Sequence, residues 1–323
     1  LELVLVLFLI GLLASAGLLF TENQEDQAYF DETQRRMKII QDAIIRTGEN
    51  SINGQPELAG FAVDNGRLPY CLEELLFVDT TVTSGLDYIS PCNTDLTVTP
   101  PRITDDGIRY GWWGPYIQIQ PERDGVRRFR DGYQNSFDIV STVDPNAVAT
   151  NFGWVWTLAQ SDATAISNPI TASSPMAFTL TVSSVGYDIT QANDNYGDTI
   201  IRKDDWLTND RYTVRFYNTS STSSIDTTTP DDWRLTLANS ASSFQSQAFT
   251  IASSSIPAVD DGNNSVDETA MFSERIPAGH YLISLSCTPS GSDCVTENVS
   301  TPYRVIVLPR QQLAPIRWNV KPR

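Results

Sequence analysis

The sequence predicts an α+β fold with a long N-terminal α-helix, an antiparallel β-sheet head and a C-terminal all-β sandwich. Three features predict this order: an apolar run over residues 1–20, an amphipathic continuation to about residue 52, and short alternating runs after about residue 150. We therefore expect three parts: the helix over residues 1–52, the head over residues 53–150, and a sandwich over residues 151–323.

The apolar run reads LELVLVLFLIGLLASAGLLF, and its only charged residue is Glu2. A helix over residues 3–20 would be about 27 Å long, close to the roughly 30 Å hydrocarbon thickness of a bilayer. A secretory signal peptide is a poorer match, because its apolar part is usually about 7–15 residues long. We expect a membrane-spanning helix in which Glu2 has a partner, since an acidic group there costs roughly 2.5–3.5 kcal/mol.

The next stretch has an apolar stripe at helical spacing, formed by Phe30, Met37, Ile40 and Ile44. Glu32 and Arg36 form an acid-before-base pair four residues apart, which supports a helix. We expect one helix to about residue 52, ended by Asn53 and Gly54, with the stripe packed on the sheet of the head.

In the head, the pattern predicts a short helix at 72–77 and strands at 110–120 and 136–143. Trp112, Trp113 and Tyr116 are expected to pack in the core or between subunits rather than to hold a ligand. Four arginines crowd one loop, at Arg123, Arg127, Arg128 and Arg130. They suit either an acidic surface of a neighbouring subunit or a solvated loop.

After residue 150, alternating runs and turn residues predict an antiparallel β-sandwich. The predicted strands cover residues 154–156, 177–183, 212–217, 233–237, 249–252, 280–287 and 303–308. IPAGHYLISLSC at 276–287 resembles the closing strand of immunoglobulin-like modules.

Charge and cysteine content limit the function. The chain has 323 residues and a net charge of −17, which argues against binding nucleic acid through a positive field. The four cysteines form two local pairs, Cys71 with Cys92 and Cys287 with Cys294, and we predict a disulfide in each. Zinc is the competing interpretation, but neither pair has CxxC spacing. Disulfides indicate an oxidising compartment.

Two kinds of ligand or modification site are candidates, while no cofactor is predicted. Oxygen-rich runs at 193–198 and 260–264 suit calcium, but they lack the spacing of a defined calcium loop and also suit ordinary turns. The hydroxyl-rich stretch after residue 217 offers candidate glycan acceptors or a polar β edge. These acceptors are Asn218, Thr219, Ser220 and Ser221.

Catalytic motifs are weak, and we predict that the chain is not an enzyme. His280 has no serine or cysteine motif beside it and is expected to be structural. Glu73 and Glu74 are adjacent on a short helix, so they point in different directions and do not form an acid/base pair.

Gly11 follows Glu2 by nine residues within the apolar run. Three further segments follow in order: NGRLPYCLEELL at 65–76, GWWGPYIQ at 111–118 and DGYQNSFDIV at 131–140. Together these four elements resemble type IV pilins and the pseudopilins of type II secretion. Those families have the same spacing from glutamate to glycine, and the three segments are similar to their post-helix segment, to a pseudopilin element and to one of their strands.

The resemblance implies a pilin-type head and assembly through the N-terminal helix. Glu2 would neutralise the α-amine of its own or a neighbouring helix, while Gly11 and Gly17 would let the helix loosen. The implied partners are identical subunits in a helical homopolymer, the inner membrane before assembly, and a prepilin peptidase with the pilus assembly machinery. The implied location is the inner membrane, followed by an extracellular surface filament.

Three functions remain open. The first is a structural subunit of a type IV pilus or pilus-like filament, displaying its outer domain for adhesion, motility or attachment. The second is a pseudopilin of a type II secretion system, which the GWWGPYIQ element favours. The third is a membrane-anchored periplasmic binding protein, which would leave Glu2 unexplained.

Overall fold

The computed structural model describes thirteen segments of the chain. They are residues 2–52, 55–80, 87–104, 107–135, 152–161, 164–165, 176–186, 196–226, 232–239, 243–253, 255–288, 303–309 and 313–320. These segments are mostly β, with several small sheets and three α-helices, of which one exceeds seven residues. The predicted α+β class, with a single pilin-type sheet and a single sandwich, is therefore wrong.

Helix α1 covers Glu2–Ile44, and the predicted continuation to residue 52 is wrong. Strand β1 (Arg46–Ile52) follows instead and pairs antiparallel with β2 (Gln55–Ala59). Ile52 lies opposite Gln55, which leaves two residues between the strands. In the sequence these are Asn and Gly, a pair typical of two-residue hairpin connections as well as of helix ends.

The predicted membrane segment over residues 1–20 is also corrected. Among the described residues, no helix has both the length and the apolar character that crossing a bilayer requires. This finding contradicts the expected transmembrane pilin helix and the expected inner-membrane stage before a surface filament.

The region after β2 contains short elements rather than an antiparallel sheet head. Helix α2 (Phe61–Asn65) and a 3-10 helix (Leu72–Leu75) precede two small hairpins. The hairpins are β3 (Tyr88–Ser90) with β4 (Asn93–Val98), and β5 (Arg102–Ile103) with β6 (Arg109–Tyr110).

Two predicted elements of the head are therefore shorter than expected. The helix expected at 72–77 is a 3-10 turn that ends at Leu75. The strand expected at 110–120 ends at Tyr110, because Gly111 has a φ of 85° and Pro115 lacks a backbone donor. The strand expected at 136–143 lies outside the described residues.

The sheet that packs on α1 comes from residues predicted to belong to the sandwich. Its strands are β7 (Trp154–Ser161), β8 (Thr164–Ala165), β9 (Thr179–Ser184) and β10 (Tyr196–Ile201), in the order β10-β9-β7-β8. One core joins this sheet to α1, and its members include Met37, Ile40, Ile44, Trp154, Leu180 and Ile201. The helix stripe is thus buried, but against other strands than expected. The expected boundary near residue 150 lies outside the described residues.

A second core follows the short helix α3 (Lys203–Trp206). Its strands are β11 (Arg211–Asn218), β12 (Ile225–Asp226), β13 (Asp232–Ala238), β14 (Ser243–Gln245), β15 (Ser255–Ile256), β16 (Ser265–Met271), β17 (Gly279–Thr288), β18 (Tyr303–Val307) and β19 (Ile316–Val320). They form the sheets β16-β11-β19 and β14-β13-β17-β18 and the pair β12-β15.

This second unit is smaller than the predicted sandwich. Its core contains Phe216, Trp233, Tyr281 and Trp318. Residues 249–252, predicted as a strand, contribute only a bridge from Phe249 to Trp233. The two cores adjoin around residue 278, since Ala278 belongs to the first core whereas Ile276 and Tyr281 belong to the second.

Candidate functional site

The first half of α1 exposes large apolar side chains. Val6 is 52% exposed, Phe8 68% and Ile10 57%. Gly11 is also exposed, and a Cβ added there would meet no other atom within 4 Å. Apolar side chains of this size left in solvent indicate a surface that another molecule covers.

The sequence around these residues has no polar face. Residues 3–20 contain no charged side chain, and Ser15 is their one hydroxyl residue. A helix that is apolar on all sides requires apolar neighbours on all sides. Glu2 and Gly17 belong to α1, but their side-chain surroundings lie outside what the structure describes.

The second half of α1 is anchored to the loop of the DGYQN motif, residues 131–135. Thr33 is fully buried, and its hydroxyl accepts a hydrogen bond from the Gly132 amide at 3.0 Å. The Arg36 guanidinium donates to the Arg130 carbonyl at 2.7 Å. A Cβ at Gly132 would overlap the Tyr29 carbonyl oxygen, so the close approach of loop and helix requires glycine.

A buried carboxylate ties the same loop to the sheet. Asp131 accepts hydrogen bonds from the Asn135 amide at 3.0 Å, the Asn135 side chain at 2.6 Å and the Ser184 hydroxyl at 2.7 Å. Ser184 is the last residue of β9. The motif therefore clamps α1 to the sheet, a role that sequence reasoning missed. The signal available in the sequence was Gly132 next to Asp131, within the polar run DGYQN.

Ion pairs along α1 support its second half. Glu32 bonds to Arg35 at 2.7 Å and to Arg36 at 2.6 Å, so the pair expected from four-residue spacing is present. The hydrogen bonds from Arg35 and Arg36 lower the pKa of Glu32 to about 2. These contacts keep the helix continuous where it meets the head.

The aromatic residues of GWWGPYIQ pack within the head. The Trp112 ring nitrogen donates to the Glu74 carbonyl at 2.6 Å, and that of Trp113 to the Tyr110 carbonyl at 2.9 Å. The Tyr116 hydroxyl donates to Asp64 at 3.0 Å. All three rings are half-buried with their polar atoms bonded, which is the geometry of packing rather than of an open ligand platform.

Glu74, one of the two adjacent glutamates, is held by several hydrogen bonds inside the head. Glu74 is fully buried and accepts two hydrogen bonds from Arg67, at 2.9 and 3.0 Å. The Ser90 hydroxyl donates to it at 2.6 Å, and the Tyr70 amide at 2.9 Å. With these partners the carboxylate is a structural ion pair. Glu73 is also buried.

The structure joins Cys71 to Cys92, the pair predicted from the sequence, with 5.8 Å between the Cα atoms. Cys287 is disulfide-bonded, whereas Cys294 lies outside the described residues. His280 is half-buried, and burial together with Arg109 and Arg304 lowers its pKa. Within the described residues, no group of three His, Cys, Asp or Glu side chains is placed to hold a metal ion. Of the two calcium candidates, residues 193–195 lie outside the described chain.

The candidate glycan acceptors differ in access. Asn218 is fully buried, and its side-chain amide donates to the Ser223 carbonyl at 2.8 Å and the Ile256 carbonyl at 3.1 Å. A glycan at Asn218 conflicts with this burial. Thr219 and Ser221 are exposed, and Ser220 is half-buried.

No family model, curated protein or solved structure matches this chain. The likeness to pilins is therefore a likeness of four sequence motifs.

Proposed function

We propose that this chain is a structural subunit of a pilus-like filament. Copies join through the apolar first half of α1, and the two β units are displayed on the outside. The observation that carries the proposal is the exposure of Val6, Phe8 and Ile10 on a helix segment without a polar face. The four pilin-like motifs give it independent support.

The partner that suits this helix is a group of further copies of the same helix. One neighbour covers only one side of a helix, whereas residues 3–20 are apolar on every side. Several copies are therefore needed around each one. A contact that repeats between different surfaces of identical copies, without closing into a ring, produces an open helical filament.

Burial of the apolar run would drive such an assembly. Full burial of one Val, Ile or Phe side chain contributes roughly 1.5–3 kcal/mol, and Val6, Phe8 and Ile10 are 52%, 68% and 57% exposed, so covering their exposed parts contributes roughly 3–5 kcal/mol in all. A micromolar contact requires about 8 kcal/mol. The other apolar residues of the run add to this and offset the entropy lost on association.

The anchored half of α1 determines what the filament displays. Thr33 and Arg36 hold the helix to the loop at 131–135, and Met37 and Ile40 belong to the core shared with the sheet. Bundling of the first halves therefore leaves the β units at the periphery. Adhesion, motility or surface attachment would depend on those outward surfaces.

Electron microscopy and sedimentation of the purified chain test the proposal. We expect the wild type to form filaments and Phe8→Glu to remain monomeric, because a charge inside the bundle is costly to bury. Val259→Glu is the matched control, since Val259 is a 45% exposed apolar residue of the second unit. It should polymerise normally.

The far-ultraviolet circular dichroism of both variants should match that of the wild type. Filaments from Phe8→Glu at the wild-type concentration would contradict the proposal. A wild-type chain that stays monomeric at every concentration tested would contradict it as well.

A further inference from the structure

A basic loop, residues 122–130, stands out on this acidic chain. It carries four arginines against Glu122 and Asp124, a local net charge of +2, while the whole chain has a net charge of −17. Residues 122–127 are exposed, Arg128 and Arg130 are half-buried, and Phe129 is buried. The contrast in charge points to an acidic partner.

Two of the arginines stiffen the loop from within. Arg128 bonds to Glu122 at 2.9 Å and to Asp124 at 2.6 Å. Arg130 bonds to Glu122 at 2.9 Å and donates to the Asn135 carbonyl at 2.8 Å. The Glu122 amide donates to the Val126 carbonyl at 2.9 Å and closes the turn. A loop held in this way loses little conformational entropy when it binds.

The other two arginines face solvent at the tip. Arg123 and Arg127 are exposed, and neither forms an ion pair within the part of the chain that the structure describes. Val126 lies between them and is 41% exposed. The tip therefore presents two cations around an apolar side chain, a combination typical of a protein contact.

An acidic segment, residues 22–32, follows the apolar half of α1. It contains five acidic residues and no basic residue. Glu25 and Asp31 are exposed, and Asp31 accepts a hydrogen bond from the neutral Gln27 side chain at 2.7 Å. Bundling several copies of α1 would bring these acidic segments together, and their mutual repulsion requires compensating positive charge.

We propose that the basic loop of one copy binds the acidic segment of a neighbouring copy, through Arg123 and Arg127. This inference rests on the proposed filament. It names the contact that neutralises the acidic segments which bundling brings together. The loop adjoins α1 of its own copy, since Arg36 bonds to the Arg130 carbonyl and the rings of Tyr29 and Tyr133 lie 5.8 Å apart. A neighbouring α1 packed alongside would therefore pass the tip of the loop at the level of its acidic segment.

Charge reversal measures the contribution of this contact. The double variant Arg123→Glu, Arg127→Glu should raise the protein concentration needed for polymerisation by about tenfold, which corresponds to 1.4 kcal/mol. Adding Glu25→Arg and Asp31→Arg to the same chain should restore polymerisation. Arg211→Glu, at an exposed arginine of β11, is the control and should change nothing.

Cross-linking between two different chains tests whether the basic loop of one copy contacts the acidic segment of another. Chains carrying Arg127→Cys are mixed with chains carrying Glu25→Cys and then oxidised. We expect a disulfide-linked heterodimer that disappears when both chains also carry Phe8→Glu.

The outcomes separate the two proposals. A wild type that never polymerises contradicts the proposed function. A wild type that polymerises, with the Arg123→Glu, Arg127→Glu variant polymerising at the same concentration and no heterodimer cross-link, contradicts the loop contact alone.

Discussion

In the head, Glu74 is buried and Asp64 is half-buried, and the two carboxylates differ in the donors around them. Glu74 has Arg67, Ser90 and a backbone amide as donors, so its charge is compensated. Asp64 has one side-chain donor, the Tyr116 hydroxyl, and the electrostatic field of Arg109. Its negative charge is therefore compensated less than that of Glu74. Burial therefore dominates and raises the pKa of Asp64 from 3.8 to about 6.

The raised pKa of Asp64 predicts a specific pH dependence of stability. The folded state binds the proton more tightly than the unfolded state, so this contribution is fully present below pH 3.8 and is lost as the pH rises through about 6. Asp64→Asn removes it while keeping an acceptor for Tyr116. We expect the free energy of unfolding of the variant, relative to wild type, to increase by about 3 kcal/mol between pH 3.5 and pH 7.

Urea unfolding at several pH values measures this difference. Gln118→Ala is the control, because Gln118 is exposed and carries no titratable group, so its difference from wild type should not depend on pH. A constant difference between Asp64→Asn and wild type across the range would contradict the assignment.

The sequence predicts the hydrogen-bond partners and burial of single side chains poorly, because the contacting residues come from distant positions in the chain. Ser90 reaches Glu74 across sixteen residues, and no local pattern encodes that contact. Asn218 has the three-letter pattern of a glycosylation acceptor, but the pattern carries no information about its burial. Cysteine pairing is easier, because Cys71 and Cys92 are close in sequence and few alternatives exist.

Among the elements, α1 combines an apolar first half and an amphipathic second half in one continuous helix. Val6, Phe8 and Ile10 of the apolar half are exposed, and the amphipathic half is fixed by the loop at 131–135. The periodicity of Met37, Ile40 and Ile44 predicts the buried face, because helical spacing is a local property. The end of the helix was mispredicted, because an Asn-Gly pair suits both a helix end and a hairpin.

The clamp between α1 and the loop at 131–135 predicts the effect of adding a single methyl group. Gly132→Ala should destabilise the chain by about 2–4 kcal/mol, because the new Cβ would overlap the Tyr29 carbonyl oxygen and the Thr33 hydroxyl. Hydrogen exchange should show faster exchange in the second half of α1. Chemical denaturation gives the magnitude.

Gly125→Ala is the matched control in the neighbouring basic loop. Its φ of 83° makes alanine unfavourable by about 1 kcal/mol, but the added Cβ would meet no atom within 4 Å. Exchange in α1 should not change. Equal effects of the two substitutions would show that backbone strain, and not the approach to α1, determines the loss.

In the whole molecule, the sequence predicts least well which strands pack in which hydrophobic core. Strands β7 and β9 alternate like those of the second unit, so pattern alone places them in one sandwich. The structure packs them on α1, through Trp154 and Leu180, because strand partners are chosen by long-range packing. The described residues thus form one core around α1 and another between β11 and β19.

Two cores predict two cooperative units in thermal unfolding. Calorimetry on the Phe8→Glu background, which we expect to be monomeric, should show two transitions. Ile40→Ala removes a fully buried side chain from the first core, and Leu285→Ala removes one from the second. Each should cost about 2–5 kcal/mol and lower the Tm of one transition by roughly 5–15 °C.

Each transition is assigned to a core by which of the two substitutions lowers its Tm. If Ile40→Ala lowers only one transition and Leu285→Ala only the other, then the second unit stays folded when the unit containing α1 opens. A filament built from such subunits would keep its displayed surface intact while the anchored half of α1 adjusts during assembly. If both substitutions lower a single shared transition, the cores are coupled where Ala278 of the first core adjoins Ile276 of the second, and assembly and display then share one folding equilibrium.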